Sequence, residues 1–277
     1  MKNPKITVIT PSYNQGSFIE ETILSVLNQT YKNVEYIIID GGSKDNTVDI
    51  IKKYSDKIDY WVSEKDSGQT NALNKGVKVA TGEILCWINS DDVLVPWALQ
   101  KVADFFNNHP DIAIVNGYTL RIDKYSKCMY NHFVPEPTTW FSKHGIYYIN
   151  QPSMFFKRKL IDELGVFEES FHARMDQEFV MRVLAAGNKF GKINKVLGTI
   201  RIHEDTKTSQ NGAMWSEDLQ KLENKYKSHF KVKPDLVGSI SYVIYKIVSL
   251  DYLKQFLFTK KWKGVSLKDF NAQYNYQ

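Results

Sequence analysis

The 277 residues carry 36 Lys and Arg against 31 Asp and Glu, a formal net charge of +5, with 43% hydrophobic and 24% charged residues. That mild charge, with no dense basic run in the first two hundred positions, argues against nucleic-acid binding; the composition is that of a soluble globular chain long enough for one large α/β domain with an appendage. Cys86 and Cys128 are the only cysteines, which excludes a disulfide framework and a cysteine metal cluster and points to a reducing cytoplasm.

Residues 5–10 read as a buried strand, entered with no signal peptide before it and broken by Pro11-Ser12-Tyr13-Asn14. Ser17 and Glu20 have capping-box spacing, and Ile19, Ile23, Val26 and Leu27 fall on one face of a helix. A second strand, 34–39, runs into Asp40-Gly41-Gly42-Ser43, followed by a helix with Thr47, Ile50, Ile51 and Tyr54 on its inner face. Residues 58–62 form a third strand and 72–79 a third helix. The next apolar run, 84–88, ends abruptly at Asn89-Ser90-Asp91-Asp92, and a fifth strand is expected over 112–117. This alternation predicts a mostly parallel sheet covered by helices on both faces.

Parallel strands share one direction, so their polar endings lie on one sheet edge. Asp40, Asp66, Asp91 and Asp92 therefore converge on one crevice although they are far apart in sequence. Adjacent carboxylates repel and resist desolvation, so the Asp91–Asp92 pair suits a divalent cation whose shell a diphosphate completes. The plain alternative is a turn in which Asn89, Ser90 and Asp91 cap the next helix. No G-x-G-x-x-G follows the first strand and no P-loop lysine motif occurs, which argues against a dinucleotide-dependent oxidoreductase and a P-loop enzyme.

The rhythm is lost over 119–150, a stretch rich in aromatics with Pro135 and Pro137. A short helix closed by Gly165 is expected next, then a helix whose first turn holds Asp176, where the macrodipole favours the ionised acid. Gly187 ends that helix, and 190–202 reads as strands leading to His203-Glu204-Asp205. Near the C-terminus Ile240, Val243, Ile244, Ile247 and Val248 have amphipathic-helix spacing. Leu253, Phe256 and Leu257 continue the apolar supply, accompanied by Lys246, Lys254, Lys260, Lys261 and Lys263. Two readings stand: a helix packed on the main domain, or peripheral attachment through 236–263 to an anionic membrane face. No apolar run reaches transmembrane length.

Several ordered blocks resemble glycosyltransferase family 2 with its GT-A fold, a Rossmann-like α/β architecture. They are Thr10-Pro11-Ser12-Tyr13-Asn14, Asp40-Gly41-Gly42-Ser43-Lys44-Asp45-Asn46-Thr47, Asp66-Ser67-Gly68 with Ala72-Leu73-Asn74-Lys75-Gly76, Asn89-Ser90-Asp91-Asp92, Met175-Asp176-Gln177-Glu178 and Arg201-Ile202-His203. The resemblance covers about residues 5–210 and divides the chain into a GT-A domain, 1–210, and a helical extension, 211–277. Within the domain, 1–118 would hold the nucleotide sugar and 119–210 the acceptor.

The resemblance implies an inverting transferase that uses a nucleotide-diphosphate sugar, a uridine or thymidine diphosphate by preference, with Mn²⁺ or Mg²⁺. The acceptor implied is a saccharide or lipid-linked saccharide, in surface-polysaccharide or glycoconjugate assembly. Asp176 matches the catalytic base and Asp40 the acid that contacts the donor base. Thr10, Pro11 and Tyr13 border the nucleotide pocket, and Asp66 lies on its rim. Asp92 is the expected principal metal ligand, Asp91 a ribose or supporting ligand, and His203 a late metal or diphosphate contact. Where many relatives carry a diphosphate-binding arginine, this chain has Ser67 and Leu73, leaving Lys75 as the expected cation. The non-enzymatic alternative is a sugar-nucleotide-binding or assembly subunit; the intact acids argue against it.

Overall fold

The computed structural model describes residues 3–133, 135, 138–146, 149–204 and 212–274. Four parallel strands come first: β1 (Ile6–Ser12), β2 (Val34–Asp40), β3 (Tyr60–Ser63) and β4 (Ile84–Trp87), in spatial order β3-β2-β1-β4. The helices between them are α1 (Ile19–Leu27), α2 (Thr47–Lys53) and α3 (Gln69–Val79), with α4 (Ala98–Asn108) after β4. Successive side chains of a strand point to opposite faces, and the core divides accordingly. Ile6, Val8, Ile38, Ile84 and Cys86 pack with α1 and α4 on one face. Ile9, Ile37, Ile39, Leu85 and Trp87 pack with α3 on the other. The connection from β1 leaves to one side and returns past it to β4, so the switch point lies between β1 and β4, where ligands of such sheets collect.

Beyond β4 the direction changes. β5 (Ile114–Asp123), β6 (Cys128–His132), α5 (Thr139–Lys143), β7 (Met154–Lys157), α6 (Lys159–Leu164), α7 (Met175–Ala185) and β8 (Phe190–Ile202) follow. β7 inserts antiparallel between β4 and β5, while β8 runs parallel along the other edge of β5. The fifth strand is longer than expected because Tyr118, Leu120 and Ile122 keep the buried alternation going. One 13-residue strand, β8, spans the whole of the expected 190–202 region. Its end is stitched to the end of β4: Thr199 N donates to Val93 O at 2.8 Å and the Arg201 amide to Asp92 Oδ1 at 2.9 Å.

The expected capping box of α1 does not form. The helix begins at Ile19 after Phe18, with no side-chain cap, and Glu20 instead binds Lys53 and Tyr54 of the neighbouring α2 region. Gly165 and Gly187 close α6 and α7 with φ of 87° and 76°, the left-handed region glycine enters at little cost. Four helices complete the described chain: α8 (Gly212–Tyr226), α9 (Leu236–Val248), α10 (Asp251–Trp262) and α11 (Leu267–Tyr274). Leu222 and Tyr226 of α8 join the α3–α7 core, and Trp262, Leu267 and Phe270 join the other. The expected helix over 236–248 packs on the domain through Gly238, Tyr245 and Lys246, while its apolar face is turned to the outside.

Candidate active site

A cleft of about 880 Å³ opens at the carboxyl edge of the parallel strands. Each strand ending contributes to it: Pro11, Ser12 and Tyr13 at the end of β1, Gly41 after β2, Lys65 to Gly68 after β3, Asn89 to Asp92 after β4. The first turn of α7 adds Met175 and Asp176 from across the cleft. Asp66, Asp91, Asp92 and Asp176 thus share one cavity.

The two adjacent acids at the end of β4 differ in setting. Asp92 is buried, accepts the Arg201 amide, and lies 3.4 Å from Asn89 Nδ2. Burial first, then the charge of Asp91, hold its carboxyl well above the ordinary range, against the pull of the Arg201 amide and the Arg201 and Arg121 charges. Asp91 is partly exposed, and its Oδ2 lies 3.1 Å from His203 Nε2. The Phe18 ring packs against His203, with centroids 4.6 Å apart. A cation at this place would relieve the carboxylate repulsion, and the oxygen and imidazole donors suit Mg²⁺ or Mn²⁺. Among the described residues no three His, Cys, Asp or Glu side chains are grouped so that they could hold a metal ion by themselves. Asp205 lies outside the described residues.

Arg201, only 1% exposed, is the clamp behind this pair. Its Nε donates to Asp91 O (2.8 Å), its Nη1 to Ser126 Oγ (2.8 Å) and its Nη2 to Glu21 Oε2 (2.7 Å). An amide relay continues around the rim: Gln69 Nε2 donates to Asn89 Oδ1 at 2.7 Å, and Gln151 Nε2 to Trp87 O at 2.8 Å. Such a lining fixes the position of the Asp91–Asp92 turn before any ligand arrives.

Asp176 faces the cleft from α7, with its Oδ1 accepting the Gln177 amide at 2.8 Å. Two residues on, Glu178 is fully buried and saturated by Arg182 (3.0 Å), Lys225 (2.8 Å) and the Tyr226 hydroxyl (2.8 Å). Glu178 anchors α7 to α8, leaving Asp176 as the acid presented to a ligand. The loop before α7 is pinned by a residue the sequence did not single out. Buried Asp218 of α8 accepts the amides of His172 (2.9 Å), Ala173 (2.7 Å) and Arg174 (3.2 Å) with one oxygen. Met214 and Trp215 of the same helix line the cleft, and Arg174 stacks on Trp215 at 4.9 Å. Helix periodicity in 212–226 gave no sign that this segment reaches the site.

The remaining expected residues sort differently. Asp40 is buried, and its carboxylate takes the Gly42 and Ser43 amides and the Ser43 and Ser63 hydroxyls, so it shapes the rim without lining the cleft. Thr10 is also buried, paired with the Tyr36 hydroxyl at 3.2 Å. Lys75 is drawn away: it binds Glu64 at 2.7 Å and does not line the cleft. The cationic side chains that do line it are Lys65, Arg121 and Arg201, with Arg121 contributed by β5 and close enough to act on Asp92. Among the described residues its Nε, the Trp87 indole N–H and the Ser12 hydroxyl are buried beside the cleft without a hydrogen-bond partner. An arginine between Leu120 and Ile122 in an apolar strand was the available signal for Arg121.

An open α/β sheet with an acid-lined cleft at its switch point, faced by a further acid from across it, is the ligand-binding arrangement of such sheets. A sequence model of glycosyl transferase family 2 matches residues 7–174. An uncharacterized glycosyltransferase, RT0329, of Rickettsia typhi is 32% identical over 244 residues, covering 79% of this chain and 73% of its own. Two solved structures share the fold. S. aureus TarS 1–349 in complex with UDP-GlcNAc has TM-score 0.62 at 20% identity, over 79% of this chain and 67% of that one. The mannosyltransferase PcManGT from Pyrobaculum calidifontis, in complex with GDP-Man and Mn²⁺, has TM-score 0.63 at 20% identity, over 82% of this chain and 65% of that one. The chain belongs to glycosyltransferase family 2. Some relatives are much longer: one glycosyltransferase of Rickettsia bellii, 30% identical, is matched over 34% of its length.

Proposed function

We propose that the protein transfers a sugar from a nucleotide diphosphate to a hydroxyl of a saccharide acceptor, free or lipid-linked, with inversion at the anomeric carbon. The observation that carries this reading is the single cleft that holds Asp91, Asp92 and Asp176 together. Residues 1–118 hold the donor, joined by Arg121 and His203 from 119–210, the half that otherwise faces the acceptor. The acceptor oxygen attacks the anomeric carbon while its proton passes to the Asp176 carboxylate; the bond to the diphosphate breaks and its electron pair leaves with the diphosphate. Attack from the face opposite the leaving group inverts the centre. Asp92, Asp91 and His203 would hold a divalent cation, which when bound would offset charge on the departing diphosphate. Arg121 and Lys65 replace the expected Lys75 as cations beside the diphosphate. Of the uridine and thymidine donors expected, only uridine has support, from the likeness to TarS in complex with UDP-GlcNAc, while PcManGT is in complex with GDP-Man. We place the protein in the cytoplasm, in assembly of a surface glycan.

The test is turnover of sugar nucleotides with Mn²⁺, with and without acceptor sugars. Slow hydrolysis accelerated by an acceptor supports transfer; hydrolysis that no acceptor accelerates, or full activity in excess EDTA, overturns the mechanism.

A further inference from the structure

α9 is an amphipathic helix mounted inside out. Leu236, Val237, Ile240, Val243, Ile244, Ile247 and Val248 lie on one side and are each 46–76% exposed. The side turned to the protein is the small and polar one, with Gly238 and Lys246 buried. The mounting is fixed by specific contacts. Asp235 caps the helix by accepting the Gly238 amide at 2.7 Å and lies 3.0 Å from His144 Nδ1. A Cβ on Gly238 would come within 2.3 Å of His144 O, so only glycine seats the helix this closely. Tyr245 packs on Phe141 (5.8 Å) and accepts from Lys192 (3.2 Å). A helix that docked merely to bury apolar surface would sit the other way round.

α10 continues the surface. Leu253, Phe256 and Leu257 are at least half exposed on its outer side, while Phe258 and Trp262 pack inward. The two helices are bent by 57° at a break where Leu250 takes φ of 57°. Thirteen residues of α9 span about 20 Å, short of the hydrocarbon thickness, and no single described helix is long and apolar enough to cross a membrane; α9 and α10 reach that length and apolarity only together, across the 57° bend. An apolar surface this continuous is held out of water in the working protein.

Charge selects the occupant. Residues 236–263 contain five lysines and one acid. Lys254, Lys260, Lys261 and Lys263 are exposed, while the acid, Asp251, has 2% of its side chain exposed. A second copy on this face would set lysines against lysines. Anionic headgroups instead take the lysines while the acyl chains take the apolar side chains, with exposed Trp140 and Tyr252 suited to the boundary.

We propose that α9 and α10 form a membrane anchor that lies in the plane of one anionic leaflet without crossing it. The anchor rests on this surface alone, so its failure would leave the transfer chemistry standing. Trp262 and Phe270 complete a core, so point substitutions of the full chain test it better than deletion.

The full chain is sedimented with vesicles of phosphatidylcholine, with and without a third of phosphatidylglycerol, at low salt. Wild-type protein should bind the anionic vesicles, and K260E/K261E should weaken binding by at least about tenfold. I244D/I247D should abolish binding with an unchanged circular dichroism spectrum and unchanged donor hydrolysis. The indole of F256W should be quenched by brominated acyl chains, which separates insertion from surface adsorption. Wild-type protein that stays in the supernatant, or F256W that binds unquenched, overturns the anchor. So does a dimer that binds no vesicle and becomes monomeric in I244D/I247D, which assigns the face to a second copy.

Discussion

Asp176 and Glu178 stand two positions apart on α7, yet their surroundings give them different work. Asp176 meets the cleft; Glu178 meets Arg182, Lys225 and Tyr226 and no ligand. D176N should keep donor affinity and lower the transfer rate by roughly 10²–10⁴-fold, the usual worth of a positioned base, as single-turnover kinetics would read. E178A leaves Lys225 and Arg182 facing an empty place and should cost about 3 kcal/mol of stability in urea unfolding, whereas D176N should cost under about 0.5. At the end of β4, D91A should remove Mn²⁺-dependent donor binding at little cost in stability. D92A should remove it too, and in addition strand the Arg201 amide, so its melting temperature should fall while that of D91A holds.

At the scale of elements, α8 sets the loop that delivers α7 to the cleft. The Asp218 carboxylate gathers three successive amides, and an ionised acceptor binds each more strongly than a neutral one. D218N should loosen residues 171–176 in hydrogen exchange and reduce the transfer rate more than donor affinity, which neither change in fold nor loss of the donor site would produce. At the start of α9 the Lys231 ammonium, then the Gly238 amide and His144, depress the Asp235 carboxyl far below the usual range. Because its folded value is the lower, the stabilisation is present above the unfolded pKa and disappears as the pH falls through the folded one. The Gly238 amide signal in NMR should therefore hold steady through the ordinary Asp midpoint, about 3.9, and shift only in stronger acid.

For the molecule as a whole, donor choice is read most directly by stability. A nucleotide diphosphate at a hundred times its Kd should add about 2.7 kcal/mol, visible as a raised melting temperature. With Mn²⁺ present, UDP or dTDP should stabilise more than GDP; a larger shift with GDP would move the donor to the guanosine class, and stabilisation by dinucleotides alone would overturn the transferase reading. Site and surface share one stretch of chain: Phe141 of α5 packs on Tyr245 of α9, and Gln151, ten residues on, reaches the cleft.

The alternation of apolar runs with helical periodicity determined the parallel half of the sheet, and direction alone carried Asp66, Asp91 and Asp92 to one edge. Asp176 was legible from the blocks shared with the family, since a local motif fixes which acid opens a helix. Three things were decided by tertiary structure. Lys75 left the cleft because Glu64 lies within reach, and Arg121 entered because β5 is longer than its apolar run suggested. Asp218 and Trp215 reached the site because α8 packs beside α7, a contact between segments with no shared pattern. Periodicity places apolar residues on one side of α9 but carries no information on which side faces the protein. The cap at Asp235 and the close seat of Gly238 on His144 made that choice, and turned the apolar side outward.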